Sequence, residues 1–350
     1  MSSNLALALL ETGLLPDAVV RQGIRRLLRR RLQQEKAGGA AGIERRKHAL
    51  VETLRSAPIA IHTTEANEQH YEVPADFFRH ILGRNMKYSG GYWPDGVDGL
   101  DASEEAMLEL SVERAMLEDG QDVLELGCGW GSMTLYIAAR YRSSRVVGVS
   151  NSTSQREFIR SEATRRGLSN VEVVTADMND FDVDTDFPGR RFDRVVSVEM
   201  LEHMRNYDLL FQRISSWMKD DGRCFVHVFC HRDVTYPFEV QDASDWMAEY
   251  FFTGGMMPSF DLFRRFPQHL AVEAEWLMAG THYQKTSNAW LNRMDCEKAT
   301  LFPLLQRTYG EKEARRWWVR WRTFFMACAE LFGYREGTEW LVGHYRFRRA

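Results

Sequence analysis

Three side chains in the segment VEMLEHMRNY have the types and spacing for acid–base chemistry: Glu199, Glu202 and His203. On a helical turn, residues three and four positions apart share a face, so the three side chains can converge on one pocket wall. An imidazole titrates near neutral pH and can act as a general base, while carboxylates attract a cation and orient the imidazole. A structural alternative stays open, in which Glu202 caps the next turn or pairs with Arg205.

A second stretch, LELGCGWGS (124–132), has the composition of a nucleotide-binding loop. A glycine-rich turn after a buried strand lets the backbone approach a nucleotide beside the N-terminus of the next helix. Gly127, Gly129 and Gly131 are spaced GxGxG, however, and the second predicted strand ends in Ser-Asn-Ser (150–152) without a carboxylate for the ribose. A nicotinamide dinucleotide therefore fits poorly, and no Gly-Lys-Ser/Thr follows to make a P-loop.

Alternating strands and helices from about residue 121 position these two stretches. The apolar runs DVLEL, RVVGVS, VEVVTA, DRVVSV and RCFVHVFC predict five strands, and AVEAEW and GHYRFRR predict two more. Helices are predicted between the strands at 131–142, 153–167 and 206–219, and aromatic-rich helical segments at 245–252 and 289–331. This alternation is typical of an α/β fold with a mostly parallel sheet.

Composition limits the classes of function. The chain has 350 residues, 44% of them hydrophobic and 27% charged, which suits one large domain with additions or two domains. A net charge of -4 gives no general positive field for a nucleic acid. The five cysteines form no CxxC pair, and without a secretory signal they predict reduced thiols and a cytoplasmic location. No apolar run approaches the ~20 residues of a membrane span.

A basic amphipathic helix is predicted near the N-terminus in VVRQGIRRLLRRRLQQEK. Its apolar face consists of Val20, Ile24, Leu27, Leu28 and Leu32. Two interpretations stay open: the apolar face packs on the protein, or the helix docks on an anionic membrane surface. The following AGGAAG (37–42) predicts a flexible joint.

Taken together, the motifs resemble those of one enzyme family across almost the whole chain. DVLELGCGWGSMTLYIA, VEMLEHMRNYDLLFQRIS and the tail LFGYREGTEWLVGHYRF are similar to the plant coclaurine N-methyltransferase family, a branch of the cyclopropane-fatty-acid-synthase group. The resemblance implies a Rossmann-like class I methyltransferase fold with a mostly parallel seven-stranded sheet. It also implies an N-terminal helical appendage and lid (1–105) and a core (106–350) with helical insertions near 233–265 and 284–335.

By this resemblance, S-adenosylmethionine is the cofactor and S-adenosylhomocysteine the product. The cofactor-binding positions it implies are Tyr88, Ser89, Glu125, Gly127, Gly129, Asn151, Gln155, Asp177 and Met178. It assigns catalysis to Glu199, Glu202 and His203, which would bind and deprotonate a small aromatic amine. The substrate-binding positions are Glu72 in HYEVP and the aromatic residues Trp246, Tyr250 and Phe324.

Alternatives within and outside the family stay open. In a cyclopropane-fatty-acyl-phospholipid synthase the bicarbonate-binding Cys and His would fall on Gly90 and Leu277, and Glu199 would be Gly, so that reading is disfavoured. A non-catalytic cofactor-binding protein is a second alternative. His227 and His231 are not read as a metal pair, because four residues along a strand span ~13 Å. No nucleic acid is expected as a partner, and a homodimer is left open.

Overall fold

The computed structural model describes residues 3–61, 74–240 and 246–350. Its strands are β1 (Asp122–Leu126), β2 (Arg145–Ser150), β3 (Val171–Thr175), β4 (Phe192–Val198), β5 (Met218–His231), β6 (Tyr236–Pro237), β7 (Met256–Met257), β8 (Leu270–Met278) and β9 (Trp340–Arg349). A central sheet of seven strands has the order β3-β2-β1-β4-β5-β9-β8, and β6 pairs with β7 in a separate sheet of two strands.

The central sheet is mostly parallel. Strands β1 to β5 pair in parallel, whereas β9 runs antiparallel to both β5 and β8. All five residues of β1 are buried, as expected for a parallel strand covered on both faces. The predicted α/β fold is therefore confirmed, including the two late strands. Strand β5 begins before the predicted run, because Met218 already pairs with Phe192.

Helices cover both faces of this sheet. They are α1 (Ser3–Glu11), α2 (Asp17–Glu35), α3 (Gly39–Ser56), α4 (Ala75–Ile81), α5 (Leu100–Arg114), α6 (Ser132–Arg140), α7 (Thr153–Arg165), α8 (Val183–Asp186), α9 (Tyr207–Trp217), α10 (Trp246–Tyr250), α11 (Gly280–Cys296), α12 (Lys298–Tyr309) and α13 (Glu311–Phe332). The side chains of Ser152 and Asn206 cap α7 and α9 by accepting backbone N–H groups, which explains where those helices begin. Helix α5 runs across residue 105, and α11 to α13 occupy the segment of the later predicted insertion.

Helix α2, the predicted basic amphipathic helix, packs on α13. Val20 and Leu32 are buried, and Arg21 Nη1 lies 2.9 Å from Glu330 Oε1. Arg25 pairs with the same carboxylate. Leu27 is still 44% exposed. Contact with a membrane surface stays a prediction. No helix among the described residues is long and apolar enough to cross a bilayer.

The predicted flexible joint is wrong for most of its length. Helix α3 begins at Gly39, so four of the six residues in AGGAAG are helical. The turn is made by Gly38, whose φ of +76° lies in the left-handed region that glycine adopts without strain. Alanine has the highest helix propensity, and Ala40 and Ala41 therefore favour continuing the helix despite the neighbouring glycines.

Candidate active site

The glycine-rich loop joins β1 to α6 and leaves a space beside its backbone. Gly127, Gly129 and Gly131 all have left-handed φ angles. A Cβ on Gly127 would lie 2.9 Å from Met200, and one on Gly131 would lie 2.6 Å from Ile159. A Cβ on Gly129 would meet no protein atom within 4 Å. The first and third glycines are therefore needed for packing, and the second borders open space that a ligand can occupy.

A small cavity of about 110 Å³ lies beside this loop. Its lining includes the predicted residues Asn151, Gln155, Asp177 and Met178. Gln155 Oε1 accepts a hydrogen bond of 2.6 Å from Ser150 Oγ, which fixes the orientation of the amide. Gln155 Nε2 is buried and has no hydrogen-bond partner among the described residues. A buried amide donor without an acceptor is costly, and it indicates a place where a ligand supplies the acceptor.

A larger cavity of about 1040 Å³ extends from the glycine-rich loop to helices α2 and α13. Glu199, Glu202 and His203 all line it, so the structure brings the three predicted catalytic side chains together. The backbone that does this is not the predicted helical turn. Glu199 has a left-handed φ of +51°, and residues 201–203 form a short 3-10 helix. The side chains converge because the chain reverses sharply after β4.

Within this cluster Glu202 is buried, Glu199 is slightly exposed, with 11% of its side chain accessible, and the imidazole of His203 is the most open of the three. Glu202 is 1% exposed, and its Oε1 lies 3.9 Å from His203 Nε2. Glu199 Oε1 and Glu202 Oε2 are buried atoms without a hydrogen-bond partner among the described residues. The imidazole of His203 is stacked on Phe252, with ring centroids 6.0 Å apart. The carboxyl groups of Glu199 and Glu202 therefore keep acceptor capacity that a cationic ligand can satisfy.

Burial dominates the electrostatics of these acids. It raises the pKa of Glu199 to about 8, against the opposing attraction of Lys87. Burial raises the pKa of Glu202 well above its usual value, and the neighbouring Glu199 adds to the shift. Removing water disfavours the ionised form of each carboxyl group. A cation entering the cavity would restore the ionised forms, because opposite charge offsets the cost of desolvation.

Glu125 is a third buried acid, beneath the glycine-rich loop in β1. Thr134 Oγ1 donates a hydrogen bond to its carboxylate. Burial raises the pKa of Glu125 to about 8, although the bond from Thr134 and the charge of Lys87 lower it. The side chain lines the larger cavity, and its contact with the cofactor stays a prediction.

We expect this shift to appear in the pH dependence of stability. Between about pH 5 and 8 the folded chain keeps a proton on Glu125 that the unfolded chain loses near 4.5, so stability falls as the pH rises. Relative to Glu125→Gln, the free energy of unfolding of the ligand-free wild type should fall by up to about 1.4 kcal/mol per pH unit. Urea denaturation at intervals of half a pH unit measures this difference. If the difference in free energy of unfolding between wild type and Glu125→Gln stayed constant with pH, the prediction would be wrong. Glu157→Gln, which replaces an exposed glutamate, is the control.

The segment before the cofactor-facing loop contributes a buried cation. Lys87 Nζ donates to Ser89 Oγ and, at 2.8 Å, to the carbonyl oxygen of Gly90. Burial lowers the pKa of Lys87 to about 8, while Glu199, Glu104 and Glu125 raise it. The ring of Tyr88 packs 5.0 Å from Phe78. Tyr88 and Ser89, both predicted to bind the cofactor, line the larger cavity.

Aromatic side chains form much of the opposite wall. Trp246 and Phe324, which the sequence placed at the substrate, line the larger cavity. Tyr250 lines neither cavity, because its ring lies under the guanidinium of Arg320, 3.9 Å from Cζ to the ring centroid. Trp246 and Tyr250 are four positions apart on the same side of the short helix α10, and their ring centroids are 6.0 Å apart, so Tyr250 packs on a ring that lines the cavity without lining it itself.

Three further positions on which the sequence-based prediction relied are Glu72, Leu277 and Gly90. Glu72 lies outside the described residues, and its role stays a prediction. Leu277 is 45% exposed on β8 and lines neither cavity, so its identity says nothing about a bicarbonate site. Gly90 is informative, because a Cβ there would lie only 3.1 Å from the ring of Tyr283.

Several residues of the site were not predicted from the sequence. Lys87, Tyr283 and Phe252 line the larger cavity, but none belongs to a motif that identifies a function. Lys87 stands two residues before Ser89, within a segment already predicted to lie at the site, and this proximity was the available signal. Tyr283 and Phe252 come from segments distant in sequence, so their place follows only from the packing.

Comparison with known proteins identifies the class to which this fold and site belong. The family model described as mycolic acid cyclopropane synthetase matches residues 60–338. The (S)-coclaurine N-methyltransferase of Thalictrum flavum subsp. glaucum is 40% identical over 97% of this chain and 94% of its own length. The cyclopropane-fatty-acyl-phospholipid synthase of Escherichia coli K12 is 29% identical over 86% of this chain and 75% of its own length.

A solved structure agrees with the sequence relatives. The crystal structure of coclaurine N-methyltransferase bound to N-methylheliamine and SAH superimposes with a TM-score of 0.93 at 37% identity, covering 98% of both chains. The fold is that of a class I S-adenosylmethionine-dependent methyltransferase. The chain belongs to the mycolic acid cyclopropane synthetase family and, within it, to the coclaurine N-methyltransferase branch.

Proposed function

We propose that the protein transfers a methyl group from S-adenosylmethionine to the nitrogen of a small aromatic amine. The observation that carries this proposal is the pair of carboxyl groups of Glu199 and Glu202, which line one cavity beside His203, with Glu202 Oε2 buried and lacking a hydrogen-bond partner among the described residues. An aliphatic ammonium group is the ligand that such a pair attracts, and the aromatic wall of Trp246 and Phe324 suits an attached ring.

The residues around the glycine-rich loop fit the cofactor. The buried donor of Gln155 and the open space at Gly129 would receive its nucleoside, with Asn151, Asp177 and Met178 beside them. Glu125 would hold its amino-acid end, with Tyr88 and Ser89 beside its sulfonium. When bound, S-adenosylmethionine supplies an electrophilic methyl group on a positively charged sulfonium.

The chain's own residues would then prepare the nucleophile. Glu199 and Glu202 would bind the ammonium form of the substrate and gain their ionised state from it. His203 would take the ammonium proton, because a nitrogen attacks only with a free lone pair. The free lone pair of the nitrogen would then accept the methyl group that bound S-adenosylmethionine supplies, and S-adenosylhomocysteine would be the product.

A product screen tests this function. Purified protein and methyl-labelled S-adenosylmethionine are incubated with benzylisoquinoline-like amines, simple aliphatic amines, thiols or vesicles of unsaturated phospholipid, and products are read by mass spectrometry. We expect label on nitrogen of the aromatic amines. Label only in acyl chains would support the cyclopropane-synthase alternative, against which the crowding of Gly90 by Tyr283 already weighs. No product in any panel would support a non-catalytic protein.

The larger cavity also predicts where the body of the substrate lies. Gly23 on α2 lines it, and a Cβ there would meet no atom within 4 Å, so leucine would fill the cavity without a backbone clash. We expect Gly23→Leu to lower kcat/KM for amines with two ring systems by roughly tenfold or more, the scale of one crowded apolar contact. The kcat/KM of Gly23→Leu for a one-ring amine should be unchanged. Gln33→Leu, on the exposed side of α2, should leave kcat/KM unchanged for both amines. Equal losses for both amines with Gly23→Leu would contradict this placement.

The cytoplasmic location, the homodimer and the absence of a nucleic-acid partner remain predictions. The division of the chain into an N-terminal part and a core at residue 105 also remains a prediction. The sequence and the cavity support an amine as the small-molecule partner, and its identity and the number of methyl groups transferred are the outcomes that the product screen measures.

A further inference from the structure

A row of polar side chains leads from helix α5 through the sheet to Glu199, and its two histidines are fully buried. It consists of Arg114, the last residue of α5, His344 on β9 and His227 on β5. His227 and His344 are directly opposite each other in the antiparallel pairing of these strands, and both are 0% exposed. None of the three lines either cavity.

The contacts along the row are continuous. Arg114 Nη1 lies 2.7 Å from His344 Nδ1, and His344 Nε2 lies 2.9 Å from His227 Nδ1. His227 Nε2 lies 3.3 Å from Glu199 Oε1. These last two atoms form no well-aligned hydrogen bond, but each is buried with no other partner among the described residues. Bonds at an active site are often long until the ligand is bound.

The chemistry of arginine fixes the proton positions along the row. A guanidinium group only donates hydrogen bonds, so His344 Nδ1 must be the acceptor. A neutral imidazole carries its proton on the other nitrogen, and His344 Nε2 therefore donates to His227 Nδ1. By the same reasoning, His227 carries its proton on Nε2, which faces Glu199 Oε1. Each contact thus determines the tautomer of the next ring.

The surroundings keep both rings neutral. Burial lowers the pKa of His227 and of His344 well below the usual value, and the charges of Lys87 and Arg114 act in the same direction. The guanidinium of Arg114 lies over the ring of Trp276 and donates to Met278 Sδ, and the ring of Phe225 packs on His344. Because both rings are neutral, they fix which nitrogen donates toward Glu199 and add no net charge beside it.

His227 also holds the backbone of Glu199. The Glu199 N–H donates to the carbonyl oxygen of His227 at 2.8 Å. Glu199 has the left-handed φ that a residue other than glycine adopts only when its surroundings require it. One residue therefore fixes the main chain of Glu199 and points a donor at its side chain.

We propose that Arg114, His344 and His227 act as positioning residues that set the tautomer of His227 and thereby orient the Glu199 carboxylate toward the substrate nitrogen. The inference rests on the proposed function, in which Glu199 binds the ammonium group. A donor aimed at Oε1 directs the remaining lone pairs of that carboxylate into the cavity and stabilises its ionised form.

The tautomers are measured first, in the cofactor-free protein and without substrate. Histidine-selective ¹⁵N labelling and long-range ¹H–¹⁵N correlation distinguish Nδ1–H from Nε2–H rings, with His344→Gln used for assignment. We expect His227 and His344 to be neutral Nε2–H tautomers, and Arg114→Met to populate the Nδ1–H form of His344. A wild-type His227 protonated on Nδ1 overturns the proposal. This measurement does not depend on the protein being an N-methyltransferase.

A double-mutant cycle then tests the effect on Glu199. We expect Arg114→Met to lower kcat/KM roughly 10- to 100-fold, the scale of losing an outer-shell orienting group, and to move the acidic limb of the pH profile upward. In the Glu199→Gln background the same substitution should cost less than about twofold, because the two positions are coupled. Equal losses in both backgrounds overturn the proposal.

Arg346→Met is the matched control. Arg346 also stacks on Trp276 and donates to the carbonyl oxygen of Arg114, but its hydrogen bonds among the described residues do not include either imidazole. We expect it to leave kcat/KM and both tautomers as in the wild type. If Arg346→Met lost as much activity as Arg114→Met, the loss would come from packing at Trp276. That result would overturn the proposal.

Discussion

Replacing His203 by alanine is expected to lower turnover by about 10²- to 10⁴-fold, the usual scale for losing a general base. His203 is the most exposed member of the cluster, with its imidazole held against Phe252 and beside Glu202. Burial makes both glutamates costly to ionise, so they suit binding of the ammonium group better than removal of its proton. Although His203 also lines the small cavity, we expect affinity for the cofactor to change by no more than a few-fold.

The pH profile distinguishes a lost base from a damaged site. In His203→Ala the rate should rise with pH, because solution then supplies the neutral amine that the imidazole no longer generates. Calorimetry with S-adenosylhomocysteine confirms that the cofactor site is intact, and His48→Ala, on the exposed side of α3, is the control. Turnover like that of the wild type at every pH would show that His203 is not the base.

Replacing Gly129 by valine is expected to weaken binding of S-adenosylhomocysteine by roughly 100-fold or more, from backbone strain of ~1–3 kcal/mol plus collision with the ligand. The residue has a left-handed φ of +51°, which β-branched side chains strongly disfavour. Its Cβ would enter the space shared by both cavities, and no protein atom lies within 4 Å to be displaced instead.

A second glycine separates strain from collision. Gly167 also has a left-handed φ, +63°, and open space at its Cβ, but it lines neither cavity. Gly167→Val should therefore lower the melting temperature much as Gly129→Val does, while calorimetry finds unchanged affinity for S-adenosylhomocysteine. Unchanged affinity in Gly129→Val as well would reject the placement of the cofactor at this loop.

The sequence predicted the parts of the site that depend on local pattern. The strands β1 to β4 are short apolar runs, and the glycine loop and the Glu199–His203 segment follow β1 and β4 directly. Parallel pairing of β1 with β4 then brings the two segments together. The proximity of the glycine loop to the Glu199–His203 segment therefore follows once the order of the strands is known.

Long-range packing produced the features that the sequence did not predict. Pairing of β5 with β9 joins His227 to His344 across 117 positions, and no local signal links them. The left-handed backbone of Glu199 was equally hidden, because glutamate rarely adopts it and the sequence spacing indicated a helical turn instead. The contact of Tyr250 with Arg320 was also hidden, because the two residues lie in segments distant in sequence.

Helix α2 has a consequence for how this chain acquires its selectivity. The shared family model begins at residue 60, whereas α2 ends at Glu35 and still supplies a wall of the larger cavity. Part of the wall that we propose to contact the acceptor is therefore encoded outside the stretch that the family model matches, whereas Trp246 and Phe324 lie within that stretch. We expect substitutions in α2 to change the range of acceptors while leaving the glycine-rich loop intact, which makes this helix a target for directed evolution.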